Sequence, residues 1–149
     1  MDRGRYSACV LFHDHSPEAG RTDGPRKRQK ELNVKHHYIE ERPWGCFEVL
    51  LDDPAFKVKK ITVKPGCRLS LQSHKKRNEH WIVTEGYMRI TVGETVRDYK
   101  ANEHVYIPRE AKHRMENPGT VPASVIEIQT GEYFGEDDII RYEDDYDRI

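Results

Sequence analysis

The chain from Gly66 to Trp81 concentrates side chains that can hold a metal, namely Gln72, His74 and Glu79. Imidazole nitrogen, carboxylate oxygen and amide oxygen together suit a divalent ion of hard or borderline character, such as Mn, Co, Zn or Mg. A fourth ligand is needed. A histidine after a proline turn supplies it in Pro108-Arg109-Glu110-Ala111-Lys112-His113. The alternative for Gln72, His74, Glu79 and His113 is a polar cluster whose members satisfy one another without metal.

These residues act together only if strands and a turn place them. A strand has period two, so Arg68, Ser70, Gln72 and His74 are expected on one face, with Leu69 and Leu71 on the other. Lys75-Lys76-Arg77-Asn78 reverses the chain, and Glu79, Trp81 and Val83 share a face of the returning strand. The hairpin brings Glu79 near His74 and Gln72. His80 points the other way and is expected to be structural or exposed. Lys59 has the parity of Ile61 and Val63, which should face the interior. A lysine there answers an anion or snorkels to the mouth, and Arg68 carries the same two readings. Arg77, in the hairpin turn, is either functional or solvated. Glu127 and Gln129 alternate with Ile126 and Ile128 on the last strand. Trp44 and Trp81 are expected in the core.

Strand signals recur at residues 45–50, 56–63, 68–74, 81–84, 87–92, 104–107, 113–116 and 124–129. Gly or Pro turns separate most of them. Many short strands with no helical stretch between them predict an all-β sandwich or barrel and argue against a βαβ sheet. Residues 1–37 sustain no period and read as an N-terminal arm, with residues 38–149 as the folded domain. From Gly131 the chain turns acidic. Ile139, Ile140, Tyr142 and Tyr146 are interleaved there, which predicts a short helix or turn packed back on the body.

The 149 residues predict one domain, too short for a kinase or a full TIM barrel of roughly 250 residues. Hydrophobic residues make up 36% and charged residues 34%, so the core should be small or part of the chain should lie outside it. Lys and Arg number 25 against 26 Asp and Glu, without the basic excess of a nucleic-acid binder. The run Arg26 to Lys30 therefore reads as a solvated tail, and no nucleic-acid partner is expected. His13-Asp14-His15 has no further ligands at workable spacing. No apolar run approaches the roughly 18 residues of a membrane span, and Ala8 to Phe12 is too short for a signal core. Cys9, Cys46 and Cys67 form neither a disulfide framework nor a C-x-x-C site. A cytoplasmic protein with reduced thiols is expected.

The site residues resemble the cupin family. Gly66, Gln72-x-His74, Glu79 and Gly86 hold the spacing of the first cupin motif, with Gln in the first His position. Pro108, His113 and Asn117 match the second, with Glu110 in place of its Gly. At that spacing the four ligand candidates favour a metal over the metal-free cluster. Glu41-Arg42-Pro43-Trp44-Gly45, Arg68-Leu69-Ser70-Leu71-Gln72, Glu79-His80-Trp81 and Gly131 to Ile139 narrow the resemblance. They are similar to the type II mannose-6-phosphate isomerase domain, which often forms the C-terminal part of bifunctional mannose-1-phosphate guanylyltransferase/isomerases. The resemblance runs from about Glu40 to Arg148. It departs at Lys76, where the family usually has His, and at Glu110.

The resemblance implies a double-stranded β-helix, a jelly-roll relative, with Ile61, Val63, Trp81 and Val83 inward. It also implies interconversion of mannose 6-phosphate and fructose 6-phosphate by one divalent metal held by Gln72, His74, Glu79 and His113. A base must move a proton between C1 and C2. The sequence does not name it; Glu127 is the candidate, with Arg77 as a second catalytic candidate. Lys59, Arg68 and Arg77 would grip the phosphate. The long arm suggests a homodimer. The rival is a non-catalytic cupin that binds a sugar phosphate or nucleotide sugar beside a separate guanylyltransferase.

Overall fold

The computed structural model describes residues 37–148. The arm, with His13-Asp14-His15, Cys9 and the basic run, lies outside them. Eleven strands follow one another in the described chain: β1 (Tyr38–Arg42), β2 (Gly45–Asp52), β3 (Phe56–Val63), β4 (Leu71–His74), β5 (Arg77–Glu85), β6 (Tyr87–Val92), β7 (Thr95–Lys100), β8 (His104–Ile107), β9 (His113–Glu116), β10 (Ala123–Gly131) and β11 (Ile139–Glu143). One three-residue 3-10 turn, Glu136–Asp138, precedes β11.

The strands form two antiparallel sheets, ordered β1-β2-β3-β10-β5-β8 and β11-β4-β9-β6-β7. Chain neighbours are often separated in the sheets. The central strand β10 pairs with β3 on one side and β5 on the other, so the chain returns late to close the first sheet. The core lies between the sheets. Ile61, Val63, Trp81, Val83, Met88 and Met115 are all buried there, as strand parity requires of two inner faces. In β5 the alternation is complete from Arg77 to Val83: odd-numbered residues are buried, while His80 and Ile82 are exposed. Trp44 and Trp81 both belong to the core.

Three strands carry little sequence signal. β7 is almost wholly exposed and pairs only with β6, so nothing selects apolar residues along it. β1 is an edge strand. The segment expected as a short helix or turn after Gly131 does pack back on the body: the 3-10 turn supplies part of it, and β11 adds a strand to β4.

The turn before β9 carries backbone strain. Glu110 has φ 65°, the left-handed region that suits glycine. Its N–H donates to the carbonyl of His74 at 2.8 Å, which ties the loop before His113 to the end of β4. Glu110→Gly is expected to stabilise the domain by up to about 1 kcal/mol. It would relieve a left-handed cost of about 1–2 kcal/mol and return part of it through a more flexible unfolded chain. Urea denaturation at unchanged m-value checks this. A lower midpoint would show that the glutamate side chain contributes more than its backbone costs.

Candidate metal centre and pocket

Sheet register aligns the site in rows. On the first sheet Glu127 of β10 stands opposite Lys59 of β3 and Trp81 of β5, and the next inward residue, Gln129, stands opposite Glu79. On the second sheet Gln72 of β4 stands opposite His113 of β9 and Arg141 of β11. The tight β4–β5 connection carries the chain from one sheet to the other and brings His74 against Glu79.

His74, Glu79 and His113 are each 1% exposed, and their ligand atoms lie within 4.8 Å of one another. His74 Nε2 is 3.0 Å from Glu79 Oε1, and His113 Nε2 is 4.0 Å from Glu79 Oε2. Yet His74 Nδ1 and His113 Nε2 have no hydrogen-bond partner, and His74 Nε2 meets the Glu79 carboxylate without hydrogen-bond alignment. Buried nitrogens left without partners are costly, and His74 and His113 can each offer one lone pair to a cation beside the Glu79 carboxylate. His113 Nδ1 donates to the carbonyl of Ala111 at 2.9 Å, which leaves Nε2 as the lone pair facing Glu79. Burial pushes the His113 imidazole down to about 4, so it is neutral and able to ligate. Burial alone would raise the Glu79 carboxyl. The two imidazoles and the Arg77 guanidinium outweigh burial and hold it well below the usual carboxylate range. Gln72 Oε1 accepts from Ser70 Oγ at 2.8 Å, and an amide oxygen has a second lone pair for a metal. The residues present therefore fit a divalent ion.

A pocket between the sheets adjoins this centre and shares Gln72 and Glu79 with it. Lys59, Arg77, Glu127, Gln129, Glu136 and Arg141 also line it, with Trp44 and Phe47 as apolar walls. Lys59 is buried, and its Nζ reaches Glu136 Oε1 at 3.0 Å. Burial would lower this ammonium, but the carboxylates of Glu127 and Glu136 raise it above its ordinary value. Arg77 opens β5, is buried, and is not a solvated turn residue. Its Nε donates to Glu79 Oε1 at 3.1 Å and its Nη1 to the carbonyl of Gly135 at 3.0 Å.

Glu127 is held from two sides. Trp81 Nε1 donates to its Oε2 at 3.1 Å and also to Glu79 Oε2 at 3.0 Å. Gln129 Nε2 donates to its Oε1 at 2.7 Å and to Glu79 Oε1 at 3.2 Å. Burial, then the charge of Glu79, pushes the Glu127 carboxyl up to about 8 against the pull of Lys59 and Arg77.

Arg68 does not join this group. Regular strand geometry starts only at Leu71, and Arg68 makes an isolated bridge to Glu116. The alternation expected from residue 68 therefore fails: Leu69 and Ser70 both line the pocket. The Arg68 guanidinium instead forms two hydrogen bonds with Asp145, at 2.7 and 3.0 Å, outside the pocket. Three pocket residues carry weight that sequence reasoning did not assign. Gln129 shared the parity of Glu127 but had no visible partner. Glu136 and Arg141 lie in the acidic segment, where no period announced β11.

Two antiparallel sheets around a pocket with a His-Glu-His group define a cupin. Solved structures agree on the fold. An RmlC-like cupin from Shewanella frigidimarina is 16% identical, with a TM-score of 0.61 over 71% of this chain and 98% of that one. The capsular polysaccharide assembling protein CapF from Staphylococcus aureus is 22% identical, with a TM-score of 0.63 over 73% of this chain and 33% of that one. Within the cupins, the family model described as mannose-6-phosphate isomerase C-terminal matches residues 28–144, and the chain belongs to that family. The xanthan biosynthesis protein XanB of Xanthomonas campestris pv. campestris is 50% identical over 107 residues, 72% of this chain and 23% of that protein. The alginate biosynthesis protein AlgA of Pseudomonas putida is 46% identical over 120 residues, 80% of this chain and 25% of that protein. Mannose-1-phosphate guanylyltransferase 2 of Escherichia coli O157:H7 is 45% identical over 120 residues, again 80% and 25%. The chain thus spans about a quarter of the length of the curated relatives it matches.

Proposed function

We propose that this chain is a metal-dependent aldose–ketose isomerase that interconverts mannose 6-phosphate and fructose 6-phosphate. The observation that carries the reading is the set of unpartnered imidazole nitrogens around Glu79, immediately beside the raised carboxyl of Glu127. Gln72, His74, Glu79 and His113 would hold one divalent ion, whether Zn, Mn, Co or Mg. Bound there, it would supply Lewis-acid polarisation of the sugar carbonyl and charge to balance a developing oxyanion.

The chain's own residues do the rest. Glu127 carries the proton between C1 and C2. A carboxyl with its pKa near the working pH can both accept and return a proton. Trp81 and Gln129 fix the Glu127 carboxyl in place. Lys59 and Arg77 grip the phosphate, and Arg141 lines the same pocket; Arg68, paired with Asp145, is not part of this grip. Gripping a remote dianion orients the reacting carbons. Trp44 and Phe47 supply apolar walls to this pocket.

One observation favours a second reading. Relatives named as guanylyltransferases are about four times as long as the matched segment, so this cupin could bind a sugar phosphate or nucleotide sugar as a non-catalytic partner of such an enzyme. A coupled assay with mannose 6-phosphate and a panel of divalent ions separates the two. Turnover above the metal-free blank is expected, whereas binding without turnover supports the second reading. A homodimer built through the arm and a cytoplasmic location complete the proposal. No helix among the described residues is long and apolar enough to cross a membrane. Light scattering that finds only monomer at high concentration would remove the dimer.

A further inference from the structure

Lys59 is a buried cation in the pocket, yet its carboxylate partner, Glu136, does not come from the barrel. Glu136 belongs to the 3-10 turn after β10, and its side chain is 48% exposed while that of Lys59 is 7% exposed. The turn is tied to the pocket by backbone and polar contacts that do not involve the Glu136 side chain. Arg77 Nη1 binds the carbonyl of Gly135, and Asp138 Oδ2 accepts from the N–H of Lys76 at 3.0 Å. The Glu136 carboxylate can therefore leave Lys59 without unseating the turn. Lys59 itself is fixed from below, with its ammonium 4.6 Å from the centre of the Phe47 ring. Arg77 and Arg141 line the same pocket, and the buried Nε of Arg141 has no hydrogen-bond partner. The free protein thus holds one half-exposed carboxylate hydrogen-bonded to a buried cation, among guanidinium groups with donor capacity left over.

We infer that Glu136 is an anion placeholder on Lys59, which the phosphate group of the ligand displaces, and that it sets specificity for phosphorylated over unphosphorylated sugars. The inference rests on the phosphate reading given above. A phosphate dianion offers more charge and more acceptor oxygens than one carboxylate, so it wins Lys59 and engages the neighbouring guanidinium groups as well. A neutral sugar cannot displace the carboxylate and finds the pocket closed by it. The placeholder also spares the free protein an unpaired buried ammonium.

The test is calorimetric titration of inorganic phosphate, and separately of mannose 6-phosphate, into wild type, Glu136→Gln, Glu136→Asp, Lys59→Met and the Lys59→Met/Glu136→Gln pair. Glu136→Gln is expected to bind phosphate about five- to tenfold more tightly than wild type, because a half-exposed competing ion pair is lost. Glu136→Asp should fall between them, and keeps the question open to measurement if the Gln variant folds poorly. In the Lys59→Met background Glu136→Gln should change nothing. Equal or weaker phosphate binding by Glu136→Gln would mean that the glutamate orients Lys59 instead, and the inference falls. Absence of phosphate binding in every variant overturns it as well. Phosphate binding is read without turnover, so the two proposals can fail separately. An inactive protein that gains phosphate affinity keeps the placeholder and loses the isomerase reading. An active protein whose KM for mannose 6-phosphate ignores Glu136→Gln keeps the isomerase and loses the placeholder.

Discussion

Glu127→Gln is expected to lower kcat for mannose 6-phosphate by about 10²–10⁴, the usual scale for a lost general acid–base group. The amide keeps the size of the carboxyl, gives up one of the two N–H bonds that Glu127 accepts from Trp81 and Gln129, and takes no metal ligand away. Metal content should therefore match wild type. The loss should fall on kcat and kcat/KM equally, the pattern of an interaction made only in the transition state. A variant that binds mannose 6-phosphate normally and turns it over at the wild-type rate would remove Glu127 from the chemistry. The proton carrier would then have to be sought among the other pocket residues.

The second large effect concerns the metal itself. In wild type, a chelator is expected to lower the melting temperature by roughly 10 °C. A ligand present at a hundred times its Kd stabilises by about 2.7 kcal/mol, and a domain of this size shifts several degrees per kcal/mol. His113→Ala removes one of two imidazole ligands and should abolish most of that difference, with metal content by elemental analysis falling in parallel. The direction follows from the orphaned nitrogens: without a cation, His74 Nδ1 and His113 Nε2 are buried with no hydrogen-bond partner. A wild-type melt indifferent to chelator, together with absence of metal after purification, would return these residues to a polar cluster.

Much of this site was legible because strands have a period of two. Lys59 and Glu79 were placed inward by the parity of their apolar neighbours, and both are buried; Glu127 and Gln129 alternate with Ile126 and Ile128, and the buried face turns out to be the polar one. Parity failed where no regular strand exists. Arg68 precedes β4, so extending the alternation back to it put a surface ion pair into the pocket. Adjacency was a second gap. The contact of Gln129 with Glu79 spans fifty residues and arises because β10 inserts between β3 and β5, a crossover that no local pattern encodes. The same holds for Arg141, which reaches the site because β11 pairs with β4. Exposure hid β7, since an edge strand facing solvent has no need of apolar residues. Arg77 shows the opposite case. Its place in a charged turn left it either functional or solvated, but β5 begins at Arg77, ahead of the hydrophobic signal at Trp81, and turns the guanidinium inward.

The central claim is that one ion, held by Gln72, His74, Glu79 and His113, makes this cupin an isomerase. The most direct measurement titrates a divalent ion into chelated protein and follows bound metal and conversion of mannose 6-phosphate in the same sample. The account predicts that turnover rises in proportion to bound metal and stops rising at one ion per chain. Metal binding that saturates at one per chain while fructose 6-phosphate never forms would contradict it.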